Sequence, residues 1–395
     1  MGDLSSNDFF GSMYTDEAAD ERIISQATYY GLGDDVEAEL SGDEDIISPF
    51  DPTQIRVETR VMTIDLLLAR IREQEIDLAP DFQREAGIWK DAAKSRLIES
   101  VLIRIPLPAF YMDATDDDKW VVVDGLQRIT ALKRFIVEKT LKLRGLEFLL
   151  PIEGRSYDEL PRNFQRRILE TQITVYLIAR GTPPEVKFNI FKRINTGGLP
   201  LSAQEIRHAL NQGPVTKLLV QLADDPAFRK ATAGSVPGAR MADREFALRF
   251  LAFTLVPYTE YTRPDLDAFL SNTMQRINAM DEQEIQQLAT TFTRAMEWAA
   301  KIFENDAFRK RYKPKAGRAL INKPLFESWS INLSQCSDEQ LKQLYNKRAT
   351  VRRKFMDLLN NDHDFDKAIS QGTGDVGKVQ LRFSRIRQLI EEVLA

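Results

Sequence analysis

The chain has 395 residues, of which 43% are apolar and 29% charged, with a net charge of −5. That length and balance fit two or three soluble globular domains and exclude fibrous or fully disordered classes. One cysteine, Cys336, rules out an intrachain disulfide, and two histidines far apart, His208 and His363, rule out a Cys/His zinc centre.

The apolar runs at 173–179 and 250–256 are shorter than the roughly 20 residues that cross a bilayer. The acidic N-terminus lacks the pattern of a signal peptide, so a cytoplasmic location without a membrane is expected. Charge is unevenly spread: residues 1–51 hold fourteen Asp/Glu against Arg22 alone, a charge of −13, and the remainder carries +8. A mildly basic body suits a polyanionic ligand, and the leader reads either as a solvated tail or as a shield for that body. Residues 1–50 are predicted largely irregular, with a short helix near 17–28, and scattered aromatics such as Phe9 and Tyr14 argue for partial docking.

Order is expected from about residue 55. Thr63 is positioned to cap a helix through Ile71, and an extended, Pro-marked segment carries Asp81, Phe82, Gln83 and Arg84 before Trp89. A helix follows over 91–102, then strands over 106–112 and 120–123.

At the end of the second strand stands Val123-Asp124-Gly125-Leu126-Gln127-Arg128, with a helical pattern to about Lys139 behind it. A glycine between strand and helix admits close backbone approach, and free N–H groups at a helix start suit a phosphate. Arg128 is placed to add a two-pronged contact, and Asp124 and Gln127 to hold a metal ion or a water. The plain alternative is a tight turn in which Asp124 caps the helix and Arg128 is a surface charge.

A helical piece over 157–169, a strand over 171–178 and a helix opened by Pro183-Pro184 come next. Asn195, Thr196, Gly197 and Gly198 then read as helix termination, and Ser202 with Glu205 as a capping box. The functional alternative brings Arg193, Asn195 and Thr196 to the Asp124 turn; Arg207 and His208 read as a surface pair. Beyond Pro214 the pattern is helical, over 214–223, 242–254, 264–279, 281–304, 323–333, 338–358 and 377–394. Arg309, Lys310, Arg311, Lys313, Lys315 and Arg318 form the candidate nucleic-acid surface, weighed against an ordinary solvated charge run. The fold class expected is α+β, with domains at 51–212 and 213–395 behind the leader at 1–50.

Three stretches together resemble domain-of-unknown-function family 262. This is the N-terminal domain of GmrSD-type modification-dependent restriction enzymes and of SspE-type phosphorothioate-sensing effectors. They are Asp81 to Arg84 with Trp89, Val123 to Leu132, and Phe191 to Arg207; residues 243–250 and 368–387 also resemble family members. The resemblance implies a ParB- and sulfiredoxin-like N-terminal domain that binds a nucleoside triphosphate, with Mg²⁺, and hydrolyses it in anti-phage defence. Carried across, Asp124, Gln127 and Arg128 are the catalytic residues, with Asp124 also a metal ligand. Gln83, Arg84, Gly125, Arg193, Asn195 and Thr196 join Arg128 in binding the nucleotide. Two departures stand out. Leu126 occupies a position where the family usually has Gln, which sets a non-hydrolysing regulatory subunit against an NTPase. The HNH-type nuclease half is missing, so any DNA cleavage is expected to need a separately encoded effector or nuclease; DNA and a second copy of the chain are the other partners expected.

Overall fold

A computed structural model describes residues 35–37, 39, 56–78, 89–194, 201–314 and 317–395. They form two compact units, one α/β unit ending at Gln212 and one helical unit beginning at Gly213, the latter including the described leader residues. The predicted helix at 17–28, the segment from Asp81 to Arg84, Asn195, Thr196 and Lys315 lie outside the described residues.

The α/β unit is built on a five-stranded mixed sheet: β1 (Val57–Thr63), β2 (Ile76–Asp77), β3 (Phe110–Ala114), β4 (Trp120–Asp124) and β5 (Gln172–Ala179). Their spatial order is β1-β5-β3-β4-β2. β1–β5 and β3–β4 pair antiparallel, whereas β5–β3 and β4–β2 pair parallel. Period-two alternation assigns each face. Phe110, Met112, Trp120, Val122, Val175 and Leu177 join a large core with α1 (Ile64–Arg72), α2 (Asp91–Leu102), α3 (Leu126–Leu132) and α4 (Arg162–Glu170). On the opposite face Val123 and Ile178 pack with Phe188, Phe191 and Ile206 from α5 (Pro184–Ile194) and α6 (Ala203–Leu210).

Local chemistry explains most boundaries. Thr63 accepts from the Leu66 N–H at 3.2 Å, starting α1 where the sequence placed it. Ser202 and Glu205 close the expected capping box, at 3.1 and 2.6 Å. The strand expected at 106–112 instead begins at Phe110. Pro106 and Pro108 cannot donate to a ladder, so that approach stays outside the sheet. β1 was not anticipated: it is an edge strand, exposed over most of its length, and Val57-Glu58-Thr59-Arg60-Val61 has no buried period. The helix after Gly125 changes character at Lys133, continuing as a π-helix to Val137.

The helical unit contains α7 (Pro214–Ala223), α8 (Pro226–Ala231), α9 (Ala242–Leu255), α10 (Leu266–Asn278) and α11 (Glu282–Phe303). It continues with α12 (Lys323–Ser334), α13 (Asp338–Asn346), α14 (Arg348–Asn361), α15 (His363–Ser370) and α16 (Val376–Leu394). The helix expected over 338–358 is two, because Lys347 leaves helical geometry at ψ 18°. α8 and α15 are additions, each capped by an aspartate: Asp225 accepts from Ala227 N–H at 2.6 Å and Asp362 from Phe365 N–H at 2.9 Å. The core is aromatic-rich, joining Phe246, Phe250 and Phe253 of α9 to Phe292, Phe326, Trp329 and Phe383. Among the described residues no helix is long and apolar enough to cross a membrane.

Candidate functional site

Asp124 ends β4 and Gly125 turns the chain into α3. Gly125 has φ +102°, and a Cβ built on it would lie 2.4 Å from Cδ1 of the buried Phe110 ring. Glycine is therefore required twice over, for backbone angle and for space. Ile129 N–H donates to the Gly125 carbonyl at 2.9 Å, so the helix engages at once. Among the described residues no side chain caps its first turn. The N–H groups of Leu126, Gln127 and Arg128 thus carry the positive end of α3 with no side-chain partner.

Asp124 does not cap because it is used elsewhere. Its Oδ2 accepts from Arg128 Nη2 at 2.7 Å. The same guanidinium donates to the Ala109 carbonyl at 3.2 Å and to the Pro108 carbonyl, and lies 4.5 Å over the Phe110 ring. Arg128 is thus neither a surface charge nor an outward-reaching finger. Its side chain is 11% exposed and braces the β3 approach, the turn and α3 together. Burial pushes its pKa down, an effect that the Asp124 carboxylate partly offsets. Asp124 is more open, at 32%, so the turn itself reaches solvent.

Gln127 carries a buried side-chain oxygen, Oε1, that meets no donor among the described residues, and Thr130 Oγ1 one turn later is in the same condition. Leu126 turns inward and packs against the core, adding no polar atom to the turn. Tyr111 lies opposite Asp124 in the β3–β4 ladder and stacks on Tyr176 with centroids 5.0 Å apart. Burial raises its pKa, helped by Tyr176 and Asp124.

The structure brings both helices that flank the second stretch to this strand, a juxtaposition that sequence could not decide: α5 and α6 both pack on β4. Arg193 is exposed in the last turn of α5. Arg207 and His208 are buried, contrary to a surface pair; Arg207 donates to Gln204 Oε1 at 2.9 Å and lies 5.7 Å from the Phe188 ring centre. Both side chains face inward on α6.

Sequence reasoning missed a buried ion pair nearby. Lys187 of α5 donates to both oxygens of Asp113 on β3, at 3.1 and 3.0 Å, and to Thr115 Oγ1, and both charged side chains are about one-tenth exposed. Asp113 also accepts from Thr115 N–H at 2.9 Å. This pair fixes α5 on the face that carries Val123. Its only sequence signals are a charged residue at alternate register in an apolar strand and a lysine among Val186, Phe188 and Phe191.

The basic run in the helical unit is less available than its density suggests. Arg309 is 1% exposed and donates to the carbonyls of Asn305, Ala319 and Thr232 and to Ser235 Oγ. That guanidinium is a structural tie, not a phosphate contact. Lys310 pairs with Glu37, Arg311 with Asp306, and Arg318 with Asp35, which leaves Lys313 as an exposed cation of the run.

A mixed sheet with a glycine turn feeding an uncapped helix, followed by a helical unit, defines an α+β protein with a candidate anion-binding turn. Residues 65–211, most of the α/β unit, match the family described as the GmrSD restriction endonuclease, N-terminal domain, and the unit is similar to that domain. The family points to a restriction-type defence protein. No curated protein and no solved structure matches the chain.

Proposed function

We propose that the α/β unit binds a nucleoside triphosphate, with a phosphate group seated on the first-turn N–H groups of α3, and that this binding switches a restriction-type defence protein. The observation that carries the reading is the uncapped helix start behind Gly125, a position where a side chain has no room. Gln127 supports it, because a buried acceptor without a donor is costly unless a ligand hydroxyl, amine or water meets it. Arg128 acts through position: by holding Pro108, Ala109 and Asp124 it keeps the turn in its binding shape.

Mg²⁺ fits this reading. Asp124 gives Oδ2 to Arg128 and leaves Oδ1, and one carboxylate plus phosphate oxygens is an ordinary magnesium ligand set. The ion would neutralise phosphate charge beside the turn. Hydrolysis is the second reading, favoured by a carboxylate adjoining the phosphate position. Against it, Leu126 supplies nothing to orient a water. DNA or a separately encoded effector is the natural receiver of the switch.

Equilibrium binding of each NTP, with and without Mg²⁺, alongside phosphate release tests both. Saturable binding is expected, and Gln127→Ala weakens it by roughly 3- to 10-fold, the worth of one hydrogen bond. Failure of wild-type protein to bind any NTP or NDP at millimolar concentration refutes the proposal; binding without phosphate release removes the hydrolytic reading alone.

A further inference from the structure

The leader residues 35–37 and 39 are held in the helical unit by three kinds of contact. Backbone pairing comes first: Glu37 N–H donates to the Ile321 carbonyl and Ile321 N–H to the Asp35 carbonyl, each at 2.8 Å, a parallel bridge centred on Val36. Val36 itself is fully buried in the aromatic core. Then come the carboxylates. Lys310 and Asn322 donate to Glu37 at 2.6 and 3.1 Å, and Arg318 donates to Asp35 at 3.2 Å.

Glu39 is the deepest. Both its oxygens accept from Arg249, at 3.1 and 2.6 Å, Thr373 donates at 2.6 Å, and Lys323 lies at 3.5 Å. The helices alone supply this cluster with three cations, Arg249, Lys323 and Arg382, and two anions, Glu245 and Glu327. Among the described residues Glu39 is the third anion, without which one buried positive charge lacks its counterpart.

We propose that this cleft is a recognition groove for an extended acidic peptide, reading an aliphatic residue flanked by carboxylates, and that the leader is its occupant in cis. A second copy of this chain, presenting the same Asp-Val-Glu-x-Glu pattern, takes the groove by exchange, which is strand addition to the single backbone position of Ile321 rather than to a sheet. A nucleic acid has no peptide backbone to pair in register with Ile321 and no aliphatic side chain for the Val36 socket.

The test uses the full chain with a protease-cleavage sequence in place of residues 43–47, a fluorophore at its N-terminus, and quantitative cutting. The cut leader is expected to co-elute with the body and to be displaced, over long equilibration, by a peptide of residues 31–44. The Glu39→Gln peptide should compete at least about thirtyfold less well, the lower end for breaking a buried charged hydrogen-bond pair. A scrambled peptide of equal charge and the Val36→Asp peptide should not compete. Equal displacement by the scramble or by duplex DNA would make the cleft an unselective anion surface and overturn the proposal. So would loss of the cut leader on the column. Release only when the helical unit itself unfolds would make the leader a fixed part of the core, and equally end it.

Discussion

Gly125→Ala is the sharpest probe of the turn. The new Cβ would sit 2.4 Å from Phe110 Cδ1 and 3.0 Å from Cε1, well inside contact distance. Phe110 is completely buried and has Arg128 over its ring, so it cannot swing aside cheaply. Overpacking a filled site costs about 1–3 kcal/mol, and a non-glycine residue at this φ adds about 1–3 kcal/mol. A loss of roughly 2–6 kcal/mol in the α/β unit is therefore expected, with nucleotide binding falling along with it. Because the chain has two units, urea melts would mix their transitions; hydrogen exchange read on peptides covering β3, β4 and α3 isolates the affected one. Phe110→Leu clears the ring but not the backbone angle. In that background Gly125→Ala should cost about 1–3 kcal/mol less than in wild type. Strict additivity of the two changes would show that the Phe110 wall does not enforce the glycine.

Legibility in the sequence followed the range of the interaction. Helix ends set by neighbours were readable: α2 and α7 fall on the expected residues, and the Ser202–Glu205 box forms as its spacing implied. Short or edge elements were not, because six residues of α8 complete too few turns for a period and β1 buries almost nothing. Contacts distant in sequence were invisible. Arg249 meets Glu39 across 210 positions, and only the alternation of Asp35, Val36, Glu37 and Glu39 marks the leader as something that could pair as a strand. The same limit explains the basic run at 309–318, whose density is visible but whose partners Asp35, Glu37, Asp306 and Thr232 are not.

The turn shows where residue identity and residue role part. Asp124, Gly125, Gln127 and Arg128 stand together as spacing implied, yet the arginine faces backbone carbonyls and the aspartate faces the arginine. A sequence names an Arg four residues after an Asp on a helix start; it does not say that Pro106 and Pro108 leave a pair of carbonyls beside it needing donors. Those prolines keep 106–109 out of the sheet, and Arg128 satisfies the carbonyls that the ladder would otherwise have used.

Lys187→Met leaves Asp113 buried and unpaired and should cost about 3–5 kcal/mol, most of it recovered by Asp113→Ala in the same chain, as read by exchange protection of β3. Glu99 accepts from the N–H groups of Glu147, Phe148 and Leu149; burial alone would raise its pKa, but these donors hold it down. Glu99→Gln should therefore speed exchange at 147–149 by roughly 10- to 100-fold, and unchanged exchange would deny the clamp. For Glu39, burial raises the pKa and is outweighed by Arg249, Lys323 and Thr373, which bring it from 4.5 to about 2. A depressed carboxylate stabilises the fold above its unfolded pKa, so roughly 3 kcal/mol should be lost as pH falls from about 4.5 to 2, and Glu39→Gln should abolish that slope. Asp124→Asn separates the two ways in which this turn can attract a phosphate. The Asp124–Arg128 pair is neutral, so without metal the anion is drawn by N–H dipoles against a nearby carboxylate. Removing that carboxylate should strengthen Mg²⁺-free NTP binding by roughly fivefold, about 1 kcal/mol for unit charges near 4 Å in water. If Asp124 holds the ion, the same change weakens binding when Mg²⁺ is present, and the sign of the effect reverses between the two titrations. A loss of equal size in both would mean that Asp124 serves only to seat Arg128, and the magnesium role would fall while the phosphate seat survived.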